Sequence, residues 1–297
     1  MNLQQAVFFA DATLRAHNVE SPRLSAELLA AYATSLTRSQ VLARGGRPLS
    51  PEEATKFHAA LRRRARHEPI PYITGETEFY SLPFSIAPGV FIPRPETETL
   101  VEAALALARD LGRPPRILDL GTGCGTVLLT LAYHLQEGEY FGRDLSRAAL
   151  RLTAANAQRL GVSGRVTLRE GSLPVPPGDP AGQDLDLFVS NPPYIKSGDI
   201  PGLPSQIRDF EPHLALDGGP DGLTCIRAIL EEAADRLKPG GAVLLEAEPG
   251  LMAAIEEEAR RRGYEDFTLY RDASGKDRVA QFRTPGRKKA GLPLGSG

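Results

Sequence analysis

The feature that most constrains the fold is a short apolar segment that runs directly into a glycine-rich turn. Residues 116–120 have the sequence Arg-Ile-Leu-Asp-Leu, and Gly121, Gly123 and Gly125 follow in the turn. A helical pattern over residues 127–135 comes next. Glycines between a strand and a helix let a ligand approach the backbone, and they leave amide groups available at the helix N-terminus. The segment therefore predicts a strand, a ligand-binding loop and a helix.

An acidic residue follows this unit at a spacing that is typical of nucleoside binding. A second strand pattern, residues 140–142, ends just before Asp144, which lies 23 residues after Gly121. An acid at this point commonly binds the hydroxyl groups of a ribose. Strand and helix patterns then alternate as far as residue 282. This alternation predicts an α/β fold with a doubly wound, mostly parallel sheet.

A second ligand-binding feature lies at the end of a later strand. The apolar run 185–189 indicates a buried strand, and it is followed by Asn191, Pro192, Pro193 and Tyr194. Open α/β sheets place their ligands at the carboxyl ends of strands. The prolines fix φ and remove two backbone donors, which leaves carbonyl acceptors on a stiff loop. An amide, rigid acceptors and a ring suit a flat group that carries an NH2, although an Asn-Pro pair alone is also typical of a turn.

The first third of the chain differs from the rest. Residues 3–17 carry apolar side chains at helical spacing, and Ser50 and Glu53 form a capping box for a later helix. Alternating apolar residues around turn formers then indicate a hairpin. We predict a helical substrate-docking domain, a β-hairpin connector, a ligand-binding domain and a disordered tail, which cover residues 1–67, 68–95, 96–283 and 284–297.

Composition narrows the class of protein. The 297 residues are 41% hydrophobic and 24% charged, which is ordinary for a globular protein, and the net charge of -2 gives no reason to expect direct nucleic-acid binding. The two cysteines, Cys124 and Cys225, and the five histidines show no metal-ligand spacing, so we expect no metal. No signal peptide or membrane-spanning run is evident. The expected location is the cytoplasm, with no membrane partner.

The glycine loop alone leaves two cofactor classes open. The dinucleotide pattern G-x-G-x-x-G requires glycine at position 126, where this chain has Thr126. No further element is available for a second nucleotide half. The loop therefore favours a mononucleoside-type ligand over a dinucleotide, but only modestly.

The two loops together resemble S-adenosylmethionine-dependent methyltransferases that act on planar amide or amine nitrogens. The resemblance is carried by residues 119–125 and by the N-P-P-Y sequence at 191–194. Three more stretches, 68–75, 92–98 and 209–216, are similar to the peptide chain release factor glutamine methyltransferase family, also called the HemK or PrmC family. The resemblance extends over nearly the whole chain, with the motifs in the family's order.

This resemblance implies a fold, a cofactor and a substrate. The fold is a small all-helical domain joined by a β-hairpin to a Rossmann-like, seven-stranded methyltransferase domain. The cofactor is S-adenosyl-L-methionine. The substrate is the glutamine in the Gly-Gly-Gln loop of class 1 peptide chain release factors, so the implied process is protein methylation in translation termination.

The resemblance and the residue patterns together assign the site. Cofactor binding is expected at Gly121, Thr122, Gly123, Cys124, Gly125, Asp144, Leu173 and Asn191. Catalysis is expected at Asn191, Pro192, Pro193 and Tyr194. Two positions depart from the family: Ser172-Leu173 stands where an acid and a large residue usually contact the adenine, and Cys124 replaces a usual Ser, Thr or Ala.

The expected chemistry explains why an amide and carbonyls are needed. An amide nitrogen is a poor nucleophile because its lone pair is delocalised, whereas a sulfonium methyl group is already activated. The enzyme must therefore align the reacting atoms and localise the lone pair, which requires neither a covalent nucleophile nor a metal. The Asn191 side-chain oxygen and the Pro192 carbonyl suit the two N–H groups, and Tyr194 offers a π face.

Three alternatives stay open at this stage. The first is methylation of a glutamine in a large-subunit ribosomal protein, although those relatives usually lack the I-P-R-P-E-T-E form seen at 92–98. The second is an adenine-amine DNA methyltransferase, which would be expected to have a target-reading domain. The third is a scaffold that binds cofactor without turnover, against which the intact N-P-P-Y sequence argues.

Overall fold

The computed structural model describes residues 1–171, 173, 175, 179, 181 and 183–285. Ser172 and the predicted tail beyond Pro285 lie outside the described residues. The described chain divides into two compact units. The first comprises Met1–Thr77, Ile86–Pro88 and Leu203–Glu211, and the second comprises the remainder.

Helices occur throughout the described chain. In order they are α1 (Leu3–Ala16), α2 (Pro22–Thr34), α3 (Arg38–Ala43), α4 (Pro51–Arg64), α5 (Ile70–Thr74), α6 (Glu98–Asp110), α7 (Thr126–His134), α8 (Arg147–Arg159), α9 (Ser205–Arg208), α10 (Thr224–Arg236) and α11 (Met252–Arg261). Short 3-10 helices include Pro95–Thr97, which leads directly into α6.

The first unit is helical and has its own core. Helices α1, α2 and α4 bury apolar faces that include Leu14, Leu29 and Phe57. The capping box predicted at Ser50 and Glu53 is present: the Ser50 hydroxyl accepts from the Glu53 amide, and the Glu53 carboxylate accepts from the Ser50 amide. Capping satisfies amides that have no partner inside the helix.

The segment Leu203–Glu211 belongs to this helical unit, although it follows the N-P-P-Y sequence in the chain. Arg64, which is 4% exposed, fixes it: the guanidinium donates to the Gln206 side-chain oxygen at 3.2 Å and to the Glu68 carbonyl at 3.0 Å. Gln206 in turn donates to Glu20. A buried charge that is hydrogen-bonded in this way holds the segment to the helices.

The second unit is built on a seven-stranded sheet. The strands of the chain are β1 (Glu76–Phe79), β2 (Leu82–Ser85), β3 (Arg116–Leu120), β4 (Glu139–Asp144), β5 (Val166–Glu170), β6 (Leu185–Ser190), β7 (Leu237–Glu246), β8 (Glu265–Arg271) and β9 (Asp277–Arg283). The sheet has the order β5-β4-β3-β6-β7-β9-β8, and β9 runs antiparallel to the other six strands. This architecture confirms the predicted doubly wound α/β fold.

Both faces of the sheet are covered by helices. Along β6, Leu187 and Val189 join the core that includes α6 and α7, whereas Phe188 joins the core that includes α10 and α11. Alternate residues of a strand point to opposite faces, so a strand with apolar residues on both faces must be covered on both. All six residues of β6 are buried.

The predicted hairpin is shorter than the connector that was assigned to it. Strands β1 and β2 form a separate two-stranded sheet, and residues 70–74 before them are helical. Tyr80 and Ser81, at the turn, both have positive φ. The Tyr80 amide donates to the Glu98 carboxylate at 2.8 Å, which ties the turn to the start of α6.

The sheet order places two loops side by side. Strand β3 lies between β4 and β6, so the chain leaves β3 at the point where the order of strands reverses. Ligands of open α/β sheets bind at such a switch point. The Ser190 hydroxyl donates to the Leu120 carbonyl at 2.7 Å and joins the ends of β6 and β3.

In the part of the chain that the structure describes, no helix combines the length and the apolar composition needed to cross a bilayer.

Candidate active site

The glycine loop after β3 is held by its neighbour β4. The amides of Gly121 and Thr122 both donate to the Arg143 carbonyl, at 2.8 and 3.1 Å. Gly121, Gly123 and Gly125 have φ values of 74°, 59° and 90°, a region that side-chain-bearing residues rarely adopt. The three glycines therefore give the loop a shape that other residues would strain.

The carbonyl groups of the loop are bound by α8. The Thr153 hydroxyl donates to the Gly123 carbonyl at 2.8 Å. The Asn156 side-chain NH2 donates to the Cys124 carbonyl at 2.9 Å and to the Ser85 carbonyl at 3.1 Å. Thr153 and Asn156 are fully buried. Helix α8 thus fixes the loop and the hairpin strand β2 together.

Asp119 and Thr122 form a buried pair beneath the loop. The Thr122 hydroxyl donates to Asp119 Oδ2 at 2.8 Å, and both residues are buried. Burial raises the pKa of Asp119 to about 7, the Thr122 hydrogen bond opposes this, and the nearby Asp144 charge adds to it. Since Thr122 points inward to Asp119, its side chain braces the loop, and Asp119 orients it.

Asp144 ends β4 and faces the loop. One carboxylate oxygen accepts from the Gly123 amide and the other from the Ser146 amide, both at 2.8 Å. Burial raises the pKa of Asp144, and these two backbone hydrogen bonds counteract it. A carboxylate has about four acceptor positions, so two remain for the hydroxyl groups of a ligand.

Asn191 lies just beyond the end of β6, as predicted. Its side-chain Nδ2 donates to the Thr97 hydroxyl oxygen at 3.2 Å. Thr97 is 2% exposed and belongs to the 3-10 helix that precedes α6. Because the NH2 group of Asn191 binds Thr97, its amide oxygen Oδ1 points away from Thr97.

The loop that carries Tyr194 is clamped by glycines from a later segment. A Cβ at Gly218 would lie 2.7 Å from the Tyr194 Cα, and one at Gly222 would lie 2.5 Å from the Tyr194 carbonyl oxygen. The Ile195 amide donates to the Leu216 carbonyl, and the Gly218 amide donates to the Ile195 carbonyl. Glycine is required where two backbones approach so closely, so the segment 216–222 fixes the Tyr194 backbone.

Charged groups surround Tyr194. Burial raises the pKa of Tyr194 to about 12; the Glu246 charge contributes in the same direction, whereas Arg278 and Arg94 counteract it. Arg94 also lies over the Phe91 ring, with 4.7 Å between its guanidinium carbon and the ring centroid. The phenol is therefore neutral across the physiological pH range.

Two further predicted residues, Cys124 and Leu173, and the nearby acid Glu98 have structural positions. Cys124 is 2% exposed, and burial raises its thiol pKa to about 12, so it is an uncharged part of the loop. Leu173 is partly buried against the core on the α10 side, where Leu120 and Tyr194 also pack. Glu98 accepts from the hairpin turn and so acts in the structure of the hairpin.

Sequence reasoning missed Thr97, Glu246 and the clamping role of Gly218 and Gly222. Thr97 is separated from Asn191 by 94 residues, so no local pattern connects them. Glu246 gave one signal that could have found it, because it is an acid at the end of the apolar run 242–245. An acid in a buried strand commonly has a specific partner.

Comparison with known proteins identifies related families. Residues 5–75 match the PrmC N-terminal domain, and residues 114–281 match a methyltransferase domain. The release factor glutamine methyltransferase of Moorella thermoacetica is 44% identical over 279 residues, which cover 94% of this chain and 97% of that protein. The protein of the same name from Geobacter sulfurreducens is 40% identical over 265 residues, with 89% and 90% covered.

A solved structure has a similar fold. The hMettl16 catalytic domain, in complex with MAT2A 3′UTR hairpin 6, gives a TM-score of 0.55 over 82% of this chain and 84% of that chain. The two sequences are 15% identical, so the likeness concerns the fold alone.

The seven-stranded sheet and its two loops define a Rossmann-like methyltransferase. The high identity to curated relatives over nearly the whole length goes further. The chain belongs to the release factor glutamine methyltransferase family, as the sequence motifs predicted. It is an enzyme, and its methyl donor is S-adenosylmethionine.

The residues of the loop fit this cofactor. A Cβ at Gly121 would meet no atom within 4 Å, so the loop is open at that point, whereas Gly125 faces the protein interior. Asp144 retains acceptor capacity beside the open loop. A backbone cradle next to a carboxylate suits a methionine group joined to a ribose.

Proposed function

We propose that this chain transfers a methyl group from S-adenosylmethionine to the side-chain amide nitrogen of the glutamine in the Gly-Gly-Gln loop of class 1 peptide chain release factors. One observation carries the proposal: Asn191 Nδ2 is bound to the buried Thr97 hydroxyl, which leaves Oδ1 as an acceptor at the end of β6. An oriented acceptor at this edge is what an amide NH2 requires.

The glutamine amide is held by two acceptors in this proposal. Asn191 Oδ1 accepts one N–H, and the Pro192 carbonyl accepts the other. Both hydrogen bonds strengthen as positive charge develops on the nitrogen, so they stabilise the transition state more than the bound substrate. The stiff Asn-Pro-Pro backbone, clamped at Tyr194 by Gly218 and Gly222, keeps the acceptors in place.

The cofactor, when bound, supplies an activated methyl group, so no covalent nucleophile is required. Gly121, Gly123 and Gly125 hold its methionine part, and Asp144 binds the ribose hydroxyl groups. The roles of Thr122 and Cys124 in the cradle are those of backbone groups, because Thr122 points to Asp119 and the Cys124 side chain is buried. Leu173 contributes an apolar wall for the adenine.

Tyr194 acts as a neutral wall against the planar amide. A pKa of about 12 means that the phenol is neither a base nor an anion at pH 7. Its ring packs on the amide and excludes water. The extra proton of the methylated amide is very acidic and leaves to water without a dedicated base.

We further propose that the helical unit docks the release factor. Phe8 on α1 is 66% exposed, Phe9 is 50% exposed and Leu42 on α3 is 51% exposed. Exposed large apolar side chains on one small unit favour a protein partner. Phe8→Ser should raise KM for the whole release factor and leave both kcat and cofactor affinity unchanged; an unchanged KM would remove Phe8 from the docking surface.

The cytoplasm is the proposed location, because translation termination takes place there and both cysteines are free thiols.

A parallel methylation assay tests the function. Purified enzyme and labelled cofactor are incubated separately with a class 1 release factor, the same factor with its Gly-Gly-Gln glutamine changed to alanine, a large-subunit ribosomal protein fraction and duplex DNA. Label on the intact release factor alone is expected. Label on the alanine variant at the same level, on the ribosomal fraction alone or on DNA would contradict the proposal.

A further inference from the structure

A buried acid lies directly beside the Asn191 site. Ser190 pairs with Leu245 in the parallel register of β6 and β7, so Asn191 and Glu246 are the next residues along the two strands. Glu246 is 1% exposed. Its Oε2 has no hydrogen-bond partner among the described residues. A buried carboxyl group with an unused oxygen is costly, so an apolar residue would serve packing better.

Thr97 connects this acid to the site. The Thr97 hydroxyl lies within reach of the Glu246 carboxyl group and lowers its pKa, as a hydrogen-bond donor does. The Thr97 oxygen also accepts from Asn191 Nδ2 at 3.2 Å. Since Thr97 is itself 2% exposed, both contacts of its hydroxyl group are shielded from water, so their geometry and polarity matter more than at the surface. The three side chains thus form one buried polar cluster.

The protonation state of Glu246 determines which of the three side chains donate hydrogen bonds and which accept them. Above its pKa the Glu246 carboxyl group is ionised and can only accept, so the hydrogen shared between the two groups must come from the Thr97 hydroxyl. The Thr97 oxygen then has only lone pairs left to offer. What approaches it from Asn191 must be a donor, and that donor is the NH2. The opposite orientation of the Asn191 amide would place two acceptors against each other.

Charged groups of both signs surround Glu246. Arg278 and Arg94 favour the ionised form of Glu246, whereas Glu96 opposes it. Arg278 is held by Asp272, with a shortest distance of 3.2 Å. The guanidinium groups therefore offset part of the cost of a buried carboxylate.

We propose that Glu246 is a positioning residue that fixes the polarity of the Thr97–Asn191 hydrogen bond and thereby turns Asn191 Oδ1 toward the substrate amide. The inference rests on the proposed function only in naming the substrate. It assigns a role to an acid that does not itself touch the reacting atoms.

Three single variants test this arrangement in steady-state methylation of release factor at saturating cofactor and pH 8, where Glu246 is ionised. Thr97→Val keeps the shape and removes the hydroxyl, and Thr97→Ser keeps the hydroxyl. Glu246→Gln keeps the shape but can present either end of its amide to Thr97. We expect Thr97→Val and Glu246→Gln to lower kcat roughly 10- to 100-fold with KM unchanged, and Thr97→Ser to stay within about threefold of wild type.

The double variant Glu246→Gln/Thr97→Val sharpens the test. If Glu246 acts through Thr97, the double variant is no slower than Thr97→Val alone. Multiplied losses in the double variant, or wild-type kcat for Glu246→Gln, would overturn the proposal. If Glu246→Gln does not fold, equal rates for Thr97→Val and Thr97→Ser would overturn it.

A readout without substrate separates this inference from the proposed function. The sequence has four asparagines, so selective 15N-asparagine labelling resolves the Asn191 side-chain amide by nuclear magnetic resonance. We expect Thr97→Val and Glu246→Gln to shift its NH2 signals and to speed their exchange with solvent, and Thr97→Ser to leave them in place. Unchanged signals in Glu246→Gln would contradict the proposal that Glu246 acts on Asn191 through Thr97. An inactive wild-type enzyme with the expected shifts would instead contradict the proposed substrate.

Discussion

The glycine loop and the N-P-P-Y loop lie side by side, but they are held by different means. The glycine loop is bound through its backbone, since β4 accepts its amides and α8 donates to its carbonyls. In the N-P-P-Y loop the prolines and the glycine clamp fix the backbone, whereas the Asn191 side chain is held by one hydrogen bond of 3.2 Å to Thr97.

This difference separates two kinds of sensitivity. A loop that binds through backbone groups tolerates changes of side-chain chemistry but not an added Cβ where the protein is close. A site that depends on the direction of one amide tolerates small changes of shape but not a change of hydrogen-bond polarity. The cofactor loop therefore depends on its backbone conformation, and the acceptor site depends on the hydrogen-bond polarity of one side chain.

Gly125→Ala should have the largest effect, because it disrupts the backbone conformation on which the glycine loop depends. At a φ of 90°, the added Cβ would lie 2.7 Å from Thr153 Cγ2 and 2.8 Å from Leu129 Cδ1. Left-handed strain and over-packing together should lower the free energy of unfolding by roughly 3–5 kcal/mol and abolish cofactor binding. Thermal unfolding and calorimetric titration measure both.

Gly121→Ala is the matched control. It has a φ of 74° but open space around the added methyl group, so only the backbone cost of about 1–2 kcal/mol applies. Equal destabilisation by the two substitutions would show that close packing at Gly125 is not what fixes the loop.

Asp144→Ala should have the next largest effect. It removes the predicted ribose acceptor and also leaves the Gly123 and Ser146 amides without their partner. We expect cofactor affinity to fall by about 100-fold, with a modest loss of stability. Asp144→Asn keeps one acceptor oxygen and should lose less affinity. If calorimetry gives wild-type affinity for Asp144→Ala, the acid does not belong to the cofactor site.

The smallest expected effect is the pH dependence of stability that the buried Glu246 causes beside the N-P-P-Y loop. Burial raises the pKa of Glu246 to about 7 from its ordinary value of 4.5; the Thr97 hydrogen bond and Arg278 and Arg94 oppose the rise, and Glu96 adds to it. The folded state holds this proton more tightly than the unfolded state, so stability falls as pH rises from about 4.5 and levels off above about 7.

Glu246→Gln removes this pH dependence. Its free energy of unfolding relative to wild type should rise by on the order of 2 kcal/mol between pH 5 and pH 8. Denaturant unfolding of both proteins at the two pH values measures the change. A relative stability that is constant with pH would mean that Glu246 does not titrate between the two values.

The sequence predicts where the two loops lie better than it predicts which residues hold them. The strand, glycine turn and helix from Arg116 onward were predicted because their signals are local. The position of Asn191 at a strand end was predicted for the same reason. The bracing of Gly123 by Asp144 was missed because an acid at that spacing indicates a ligand, while the structure gives it a protein partner as well.

The partners of Asn191 could not be read from the chain. Thr97 reaches Asn191 through the packing of the 3-10 helix, and Glu246 reaches it through the register of β6 and β7. Both relations depend on which strands are neighbours, and strand order is a property of the whole fold. The prolines and Asn191 named the site, but the direction of its amide required the tertiary structure.

The most direct measurement is the single-turnover methylation rate of Asn191 variants on release factor at saturating cofactor, with the methylated residue located by mass spectrometry. Asn191→Ala removes the acceptor, and Asn191→Asp removes the donor that Thr97 binds. Both should fold, bind cofactor as wild type does and lose about 10²–10³ in rate, while wild type methylates the Gly-Gly-Gln glutamine. A rate within about threefold of wild type for either variant would show that Asn191 only forms a turn.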